Sequence, residues 1–117
     1  MNKNQPLKSL SPRQEYWLAQ TKAVIVKEMK DPQFSVKSLA IAMSLSHSQL
    51  FRRLKVIVGL SPNQYIREIR LLSALELLET GQVDTVKEAA LTVGLKDIAH
   101  FSRQFKERFG QLPSTFL

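Results

Sequence analysis

The chain carries nearly the same text twice. Ser35-Val36-Lys37 recurs as Thr85-Val86-Lys87 at an offset of 50 residues, and at that offset Ala40 falls on Ala90 and Leu45 on Leu95. One extra residue in the second copy moves the offset to 51, where Arg52, Lys55, Gly59 and Pro62 meet Arg103, Lys106, Gly110 and Pro113. A unit of about 28 residues is too short to bury a core alone, but it is the size of two short helices joined by a tight turn. Two such units need a shared element to pack on, and the apolar stretch between them is positioned to be one.

The punctuation supports an all-α reading. Pro and Gly sit between periodic segments, and no stretch alternates apolar and polar residues long enough for a strand. Residues 1–11 read as a disordered arm or the end of a linker, and residues 12–117 as one domain of about seven helices. Ser11 and Pro12 are a cap and first turn for helix 1, whose apolar positions are Tyr16, Leu18, Ala19, Ala23, Ile25, Val26 and Met29, up to Asp31-Pro32. Tyr16 and Trp17 are expected to dock this helix on the domain. Ser35 caps helix 2, which runs to about Met43; Ser38 stands where a capping box would have Glu, whereas Thr85 and Glu88 complete the box in the second copy.

Ser44 to Ser46 form the first turn, His47 to Val58 the third helix, and Gly59 its left-handed stop. A long helix follows from about 62 to 79, with Ser61-Pro62 at its start, Thr80-Gly81 at its end, and a wide stripe of Tyr65, Ile66, Ile69, Leu71, Leu72, Leu75, Leu77 and Leu78. The second unit, about 85–110, repeats the plan: a helix from Val86 to Val93, a turn at Gly94 to Lys96, and a helix from Asp97 to Phe109 stopped by Gly110. Pro113 to Phe116 is expected to form a final turn with Phe116 packed inward.

Charge narrows the function. The chain has a formal net charge of +7, which favours a polyanionic partner, nucleic acid or an acidic membrane surface. The first unit, 35–60, holds Lys37, Arg52, Arg53 and Lys55 and no acid. From Gln82 onward, Lys87, Lys96, Arg103, Lys106 and Arg108 face Asp84, Glu88, Asp97 and Glu107. The first unit is therefore expected to supply more of the salt-dependent attraction to phosphate. There is no cysteine, which removes disulfides and thiolate metal sites. His47 and His100, the only histidines, lack a clustered carboxylate partner and read as solvated helix residues. No catalytic constellation, metal site or cofactor motif is found. No signal peptide or run of about 20 apolar residues is present, and the protein is read as cytoplasmic with no membrane partner.

The orientation of the second helix in each unit decides what it offers. At 100° per residue, Leu50, Leu54, Ile57 and Val58 share one sector, as do Phe101, Phe105 and Phe109; these are core faces. The opposite sectors hold Ser48, Gln49, Arg52, Lys55 and Val56, and Ala99, His100, Arg103, Lys106 and Glu107. Short residues near a helix start with an Arg one turn later suit a major-groove reader, because the helix end approaches the base edges and the Arg can bond guanine bidentately. Lys55, Lys106 and Arg53 are candidates for phosphate. Ser35, Lys37, Thr85 and Lys87 stand at helix N-termini that favour a phosphate oxygen, with plain capping as the alternative for the two hydroxyls. Phe51 and Ile98 lie on the flank of this face, and each either packs on the neighbouring helix or reaches a thymine methyl. A basic all-helical protein-interaction adaptor is the rival reading.

The texts FSVKSLAIAMSLSHSQLFRRLKVIVGLSP and VKEAALTVGLKDIAHFSRQFKERFGQLP, in this order and separated by the long helix, resemble the DNA-binding domain of the AraC/XylS family of bacterial transcription regulators over residues 34–116. The resemblance implies two helix-turn-helix subdomains on a linker helix, bipartite reading of double-stranded DNA, and no enzymatic activity. It implies base-facing Ser48, Phe51 and Arg52 in the first unit and Ile98, Ala99, Ser102 and Arg103 in the second, with RNA polymerase as a further partner. Residues 17–32 resemble the helix that precedes this domain in response-regulator and hybrid two-component members, which implies a sensing or receiver part outside this chain. Ser44 replaces the usual turn glycine, so a positive φ there would cost about 1 kcal/mol.

Overall fold

A computed structural model of the protein describes residues 9–117. Of the arm expected over residues 1–11, residues 1–8 lie outside the described residues, and Ser11 is the cap of the first helix. Six α-helices are present among them: α1 Pro12–Glu28, α2 Val36–Ala42, α3 His47–Val58, α4 Pro62–Glu79, α5 Val86–Thr92 and α6 Ile98–Phe109, followed by a 3-10 turn Pro113–Phe116. The count of about seven therefore resolves into six α-helices and one short turn.

Each helix begins on a side-chain cap. Ser11, Ser46 and Ser61 accept from the backbone N–H of Gln14, Gln49 and Gln64 at 3.1, 3.1 and 3.2 Å, and each Gln carbonyl accepts the cap residue's own N–H at 2.9 Å. These Ser-x-x-Gln boxes satisfy two orphan donors at each helix start. The expected distribution of boxes between α2 and α5 is reversed. Ser38 Oγ accepts from Ser35 N at 3.3 Å, closing the box on α2. On α5 the Glu88 carboxylate reaches one residue too far, accepting from Asp84 N at 3.2 Å and from the Thr85 hydroxyl at 3.4 Å. The longer Glu side chain overshoots the donor that the short Ser side chain meets.

The two units match residue for residue in packing. Leu39 and Ala40 are buried as are Ala89 and Ala90, and Leu50 and Leu54 as are Phe101 and Phe105. Both turns are Schellman motifs: Leu45 N donates to Ala40 O and Leu95 N to Ala90 O, each at 2.9 Å, with Ser44 and Gly94 in the left-handed position. Ser44 has φ +57°, so the strain expected of it is present. Gly59 and Gly110 close α3 and α6 at φ +74° and +80°.

Helix α4 is the spine. It packs on α1, α2, α3, α5 and the 3-10 turn, and it buries Tyr65, Ile66, Ile69, Leu71, Ala74 and Leu78. Its 18 residues span roughly 27 Å at 1.5 Å per residue. Burial pushes the Tyr65 phenol above its ordinary pKa, so the ring stays neutral. The domain is a plate of 41 × 39 × 21 Å with a radius of gyration of 15.5 Å, larger than the ~13 Å of a compact domain of about 100 residues. The units therefore sit side by side along the spine and do not wrap a common centre.

Helix α1 docks through Thr21, Ile25 and Met29, with Trp17, Leu18 and Val24 half-buried. Tyr16, expected to dock, is 67% exposed, because the buried stripe runs through positions 17, 21 and 25 and position 16 falls outside it. The Thr21 hydroxyl, buried with them, donates to Trp17 O at 2.9 Å. In the second unit, Phe105 meets Phe101, Phe109 and Phe116 at ring-centroid distances of 5.7, 4.7 and 5.9 Å. Phe116 packs inward as expected, and it fastens the chain end to α6.

Candidate nucleic-acid interface

Two helices of equal length present matched faces. α3 and α6 each have 12 residues, each buries two large side chains on one side, and each exposes Arg one turn after its start. Ser48, Gln49, Arg52 and Lys55 of α3 are exposed, as are Ala99, Arg103 and Lys106 of α6. Arg52 and Arg103 have no hydrogen bond or ion pair among the described residues, so both guanidinium groups are available to a ligand. Their donors form a fixed planar fork suited to guanine O6 and N7.

The structure separates Phe51 from Ile98. Phe51 is 47% exposed and lines a cleft of about 530 Å³ with Ser48, Arg52, Val36 and the start of α4 at Ser61 to Asn63. Ile98 is half-buried against the core. Ile98 therefore packs inward, whereas Phe51 lies open in its cleft, where a ligand can reach it. Ser102, half-buried, lines a second cleft of about 550 Å³ with Arg103, Lys106 and Leu112. Ile98 and Ala99 do not line it. Gln49 is exposed, but its amide oxygen is committed to Ser46 N, so only its NH₂ group remains free to donate.

The candidate phosphate positions divide in the same manner. Lys37, Arg53, Lys55, Lys87 and Lys106 are all exposed. The Arg53 guanidinium lies 5.4 Å from the Trp17 ring centroid, a cation–π contact that holds it beside α1. Ser35 and Thr85 both act as caps, their hydroxyl oxygens accepting from Ser38 N at 3.3 Å and Glu88 N at 3.0 Å. At α5 the Glu88 carboxylate also sits on the helix end and opposes a phosphate there. At α2 its counterpart is the neutral Ser38.

Three features escaped sequence reasoning. Arg70 Nη2 donates to Met29 O at 3.3 Å and Asp31 O at 3.2 Å, fixing the end of α1 to the spine. Desolvation lowers its pKa, with the Asp31 charge acting in opposition, and its buried Nε has no hydrogen-bond partner. An arginine inside Ile69-Arg70-Leu71-Leu72 was the available signal. Arg108 forms a bidentate pair with Glu68, Nη2 at 2.6 Å and Nε at 2.7 Å, tying α6 to α4. The hydrogen bond to Glu68, then its charge, raises the Arg108 pKa. This is the only ion pair among the described residues, and it removes one cation from the second unit's free supply. The third feature is the groove between α1 and α3, for which the sequence held no signal.

The fold matches known proteins. Residues 39–117 match a family model described as a helix-turn-helix domain. The chain belongs to the AraC/XylS type of that family. It is 30% identical over 108 residues to histidine kinase P4 of Formosa agariphila, covering 92% of this chain and 8% of that protein. It is 33% identical over 91 residues to the HTH-type transcriptional regulator MtrA of Neisseria gonorrhoeae, covering 78% of this chain and 30% of that one. Among solved structures, the DNA-binding domain of AdpA, a global transcriptional factor in complex with a target DNA, superposes with a TM-score of 0.74 at 28% identity, covering 85% and 87% of the two chains. The chain thus spans less than a third of the length of these two curated relatives. No helix among the described residues is long and apolar enough to cross a membrane.

Proposed function

We propose that this chain is the sequence-reading part of a bacterial transcription regulator, which binds double-stranded DNA by laying α3 and α6 in successive major grooves. The observation that carries this reading is the equivalence of Arg52 and Arg103: same position, both exposed, both without a partner among the described residues, on helices whose opposite faces are buried. Arg52 and Arg103 read bases. Ser48, Phe51, Ala99 and Ser102 set the fit around them, and the Gln49 NH₂ group and Ile98 lie at the margins. Lys37, Arg53, Lys55, Lys87 and Lys106 attract the phosphates, with the helix ends at Ser35 and Thr85 contributing unequally because of Glu88. The α4 spine holds the readers at the spacing of about one DNA turn, ~34 Å, so that one chain reads an asymmetric site.

RNA polymerase is the expected further partner, and the cytoplasm the compartment. Likeness to a histidine kinase of which this chain covers 8% supports a sensing part elsewhere in a longer protein. The test is selection of bound fragments from random DNA with the parent chain and with Arg52→Ala and Arg103→Ala. Each variant is expected to lose about 1–3 kcal/mol and to relax preference at one or two different positions. An unchanged sequence profile for Arg103→Ala would refute two-part reading.

A further inference from the structure

The matched family model begins at residue 39 and leaves α1 outside it, yet α1 borders the candidate reader. A groove of about 610 Å³ between α1 and α3 is lined by Arg13, Trp17, Gln49, Arg52 and Arg53, with no carboxylate in its wall. Gln49 and Arg52 belong to the base-facing set, so the groove opens directly onto that face. From these positions we infer that α1 is part of the DNA interface, with Arg13 and the Trp17-held Arg53 seating phosphates of one DNA strand.

This role of α1 rests on the DNA-reading proposal and on the shape of the ligand. A major groove is bordered by two phosphodiester backbones, so a helix lying in it has a strand on each side. α3 has a cleft on each flank, and Arg52 lines both. The cleft on the flank toward α2 and α4 is lined by His47, Phe51, Pro62 and Asn63, with no Arg or Lys except Arg52 itself. The flank toward α1 adds Arg13 and Arg53, both exposed. The strand on that side therefore meets the greater positive charge. Trp17 reduces the freedom of Arg53: a long cationic side chain resting on an aromatic face at 5.4 Å loses less rotamer entropy when it engages a phosphate. α1 thereby acts as a second wall beside the reader as well as a connector.

The test measures affinity against salt for a selected duplex and for a mixed-sequence duplex, using the parent chain, Arg13→Gln, Arg53→Gln, Trp17→Leu, the Trp17→Leu/Arg53→Gln double variant, and Lys22→Gln as a control on α1 outside the groove. One lost phosphate contact lowers the slope of log K against log salt by about 0.9, so between about 50 and 200 mM salt the parent loses about 3.5-fold more affinity than the variant does. Arg13→Gln and Arg53→Gln are each expected to show this on both duplexes and to select the same bases as the parent. Trp17→Leu is expected to weaken binding when Arg53 is present and to add nothing beside Arg53→Gln. Lys22→Gln is expected to match the parent.

A parental slope for Arg13→Gln overturns the inference, as does a changed base preference, or a Lys22→Gln effect equal to that of Arg13→Gln, which would indicate diffuse charge. Arg52→Gln distinguishes this failure from failure of the DNA-reading proposal: if it still relaxes sequence preference, the proposal stands and only the role of α1 falls. Arg13 and Arg53 are exposed in the fold, and circular dichroism of each variant confirms that helix content is kept.

Discussion

The two turns predict unequal responses to a change at their left-handed position. Gly94 and Ser44 occupy the same left-handed position of matching Schellman motifs, at φ +86° and +57°. A Cβ on Gly94 would stand 1.9 Å from the Met29 carbonyl oxygen and 3.2 Å from Arg70 Nη2. A Cβ essentially never comes closer than 3.0 Å to such an atom, so Met29 must retreat by more than 1 Å. That retreat disturbs the Arg70 hydrogen bonds to Met29 O and Asp31 O. Backbone strain of about 1 kcal/mol and charged hydrogen bonds of about 1.5–3 kcal/mol each place Gly94→Ala at roughly 3 kcal/mol or more. Gly110→Ala supplies the calibration, because its φ is +80° but nothing lies within 4 Å of the new Cβ; it should cost only the strain, about 1 kcal/mol. Urea unfolding followed by far-UV circular dichroism reads both. With a slope of about 1–3 kcal/mol per molar, the midpoint of Gly94→Ala should fall by about 1 M or more, and that of Gly110→Ala by a fraction of this. Equal costs at the two positions would refute the claim that Met29 presses on the second turn.

Three further outcomes follow from the same geometry. Ser44→Gly relieves strain in an exposed turn but adds unfolded-state entropy of about 0.5–1 kcal/mol, so its unfolding midpoint should move little in either direction. Phe105→Ala removes the ring that joins Phe101, Phe109 and Phe116 and should cost about 3–5 kcal/mol by the same unfolding assay. Lys55→Ala should weaken binding to all duplexes alike and lower the salt slope by about one unit, with the selected sequence profile intact.

Local features were readable because the groups that make them are neighbours in the chain. Ser11, Ser35 and Ser61 as caps, Gly59 and Gly110 as stops, and Leu50, Leu54, Phe101 and Phe105 as core all follow from spacing within one or two helical turns. The misjudgements have a physical cause of the same kind. Ser38 and Glu88 differ by a side-chain length that the capping pattern ignores. Tyr16 belongs to helix 1 by period but misses the stripe that Trp17, Thr21 and Ile25 define. The period puts Phe51 at the edge of the outward face of α3, but how far its neighbours leave it uncovered depends on packing.

By itself, the sequence determined two helix-turn-helix units of unequal charge on one long helix, each with an Arg and a Lys on its outward face. Tertiary structure decided what lies across from each unit. Arg70 and Met29 are 41 residues apart in the chain, and Arg108 and Glu68 are 40 apart, distances at which no periodic pattern carries information. Through those contacts the end of α1 presses on the second turn and requires Gly94, where the first turn accepts Ser44. The start of α1, brought beside α3, sets Arg13 and the Trp17–Arg53 stack in the same groove as Gln49 and Arg52. A repeat fixes what two units share, because local forces act alike on both; their different neighbours in the fold make them unequal.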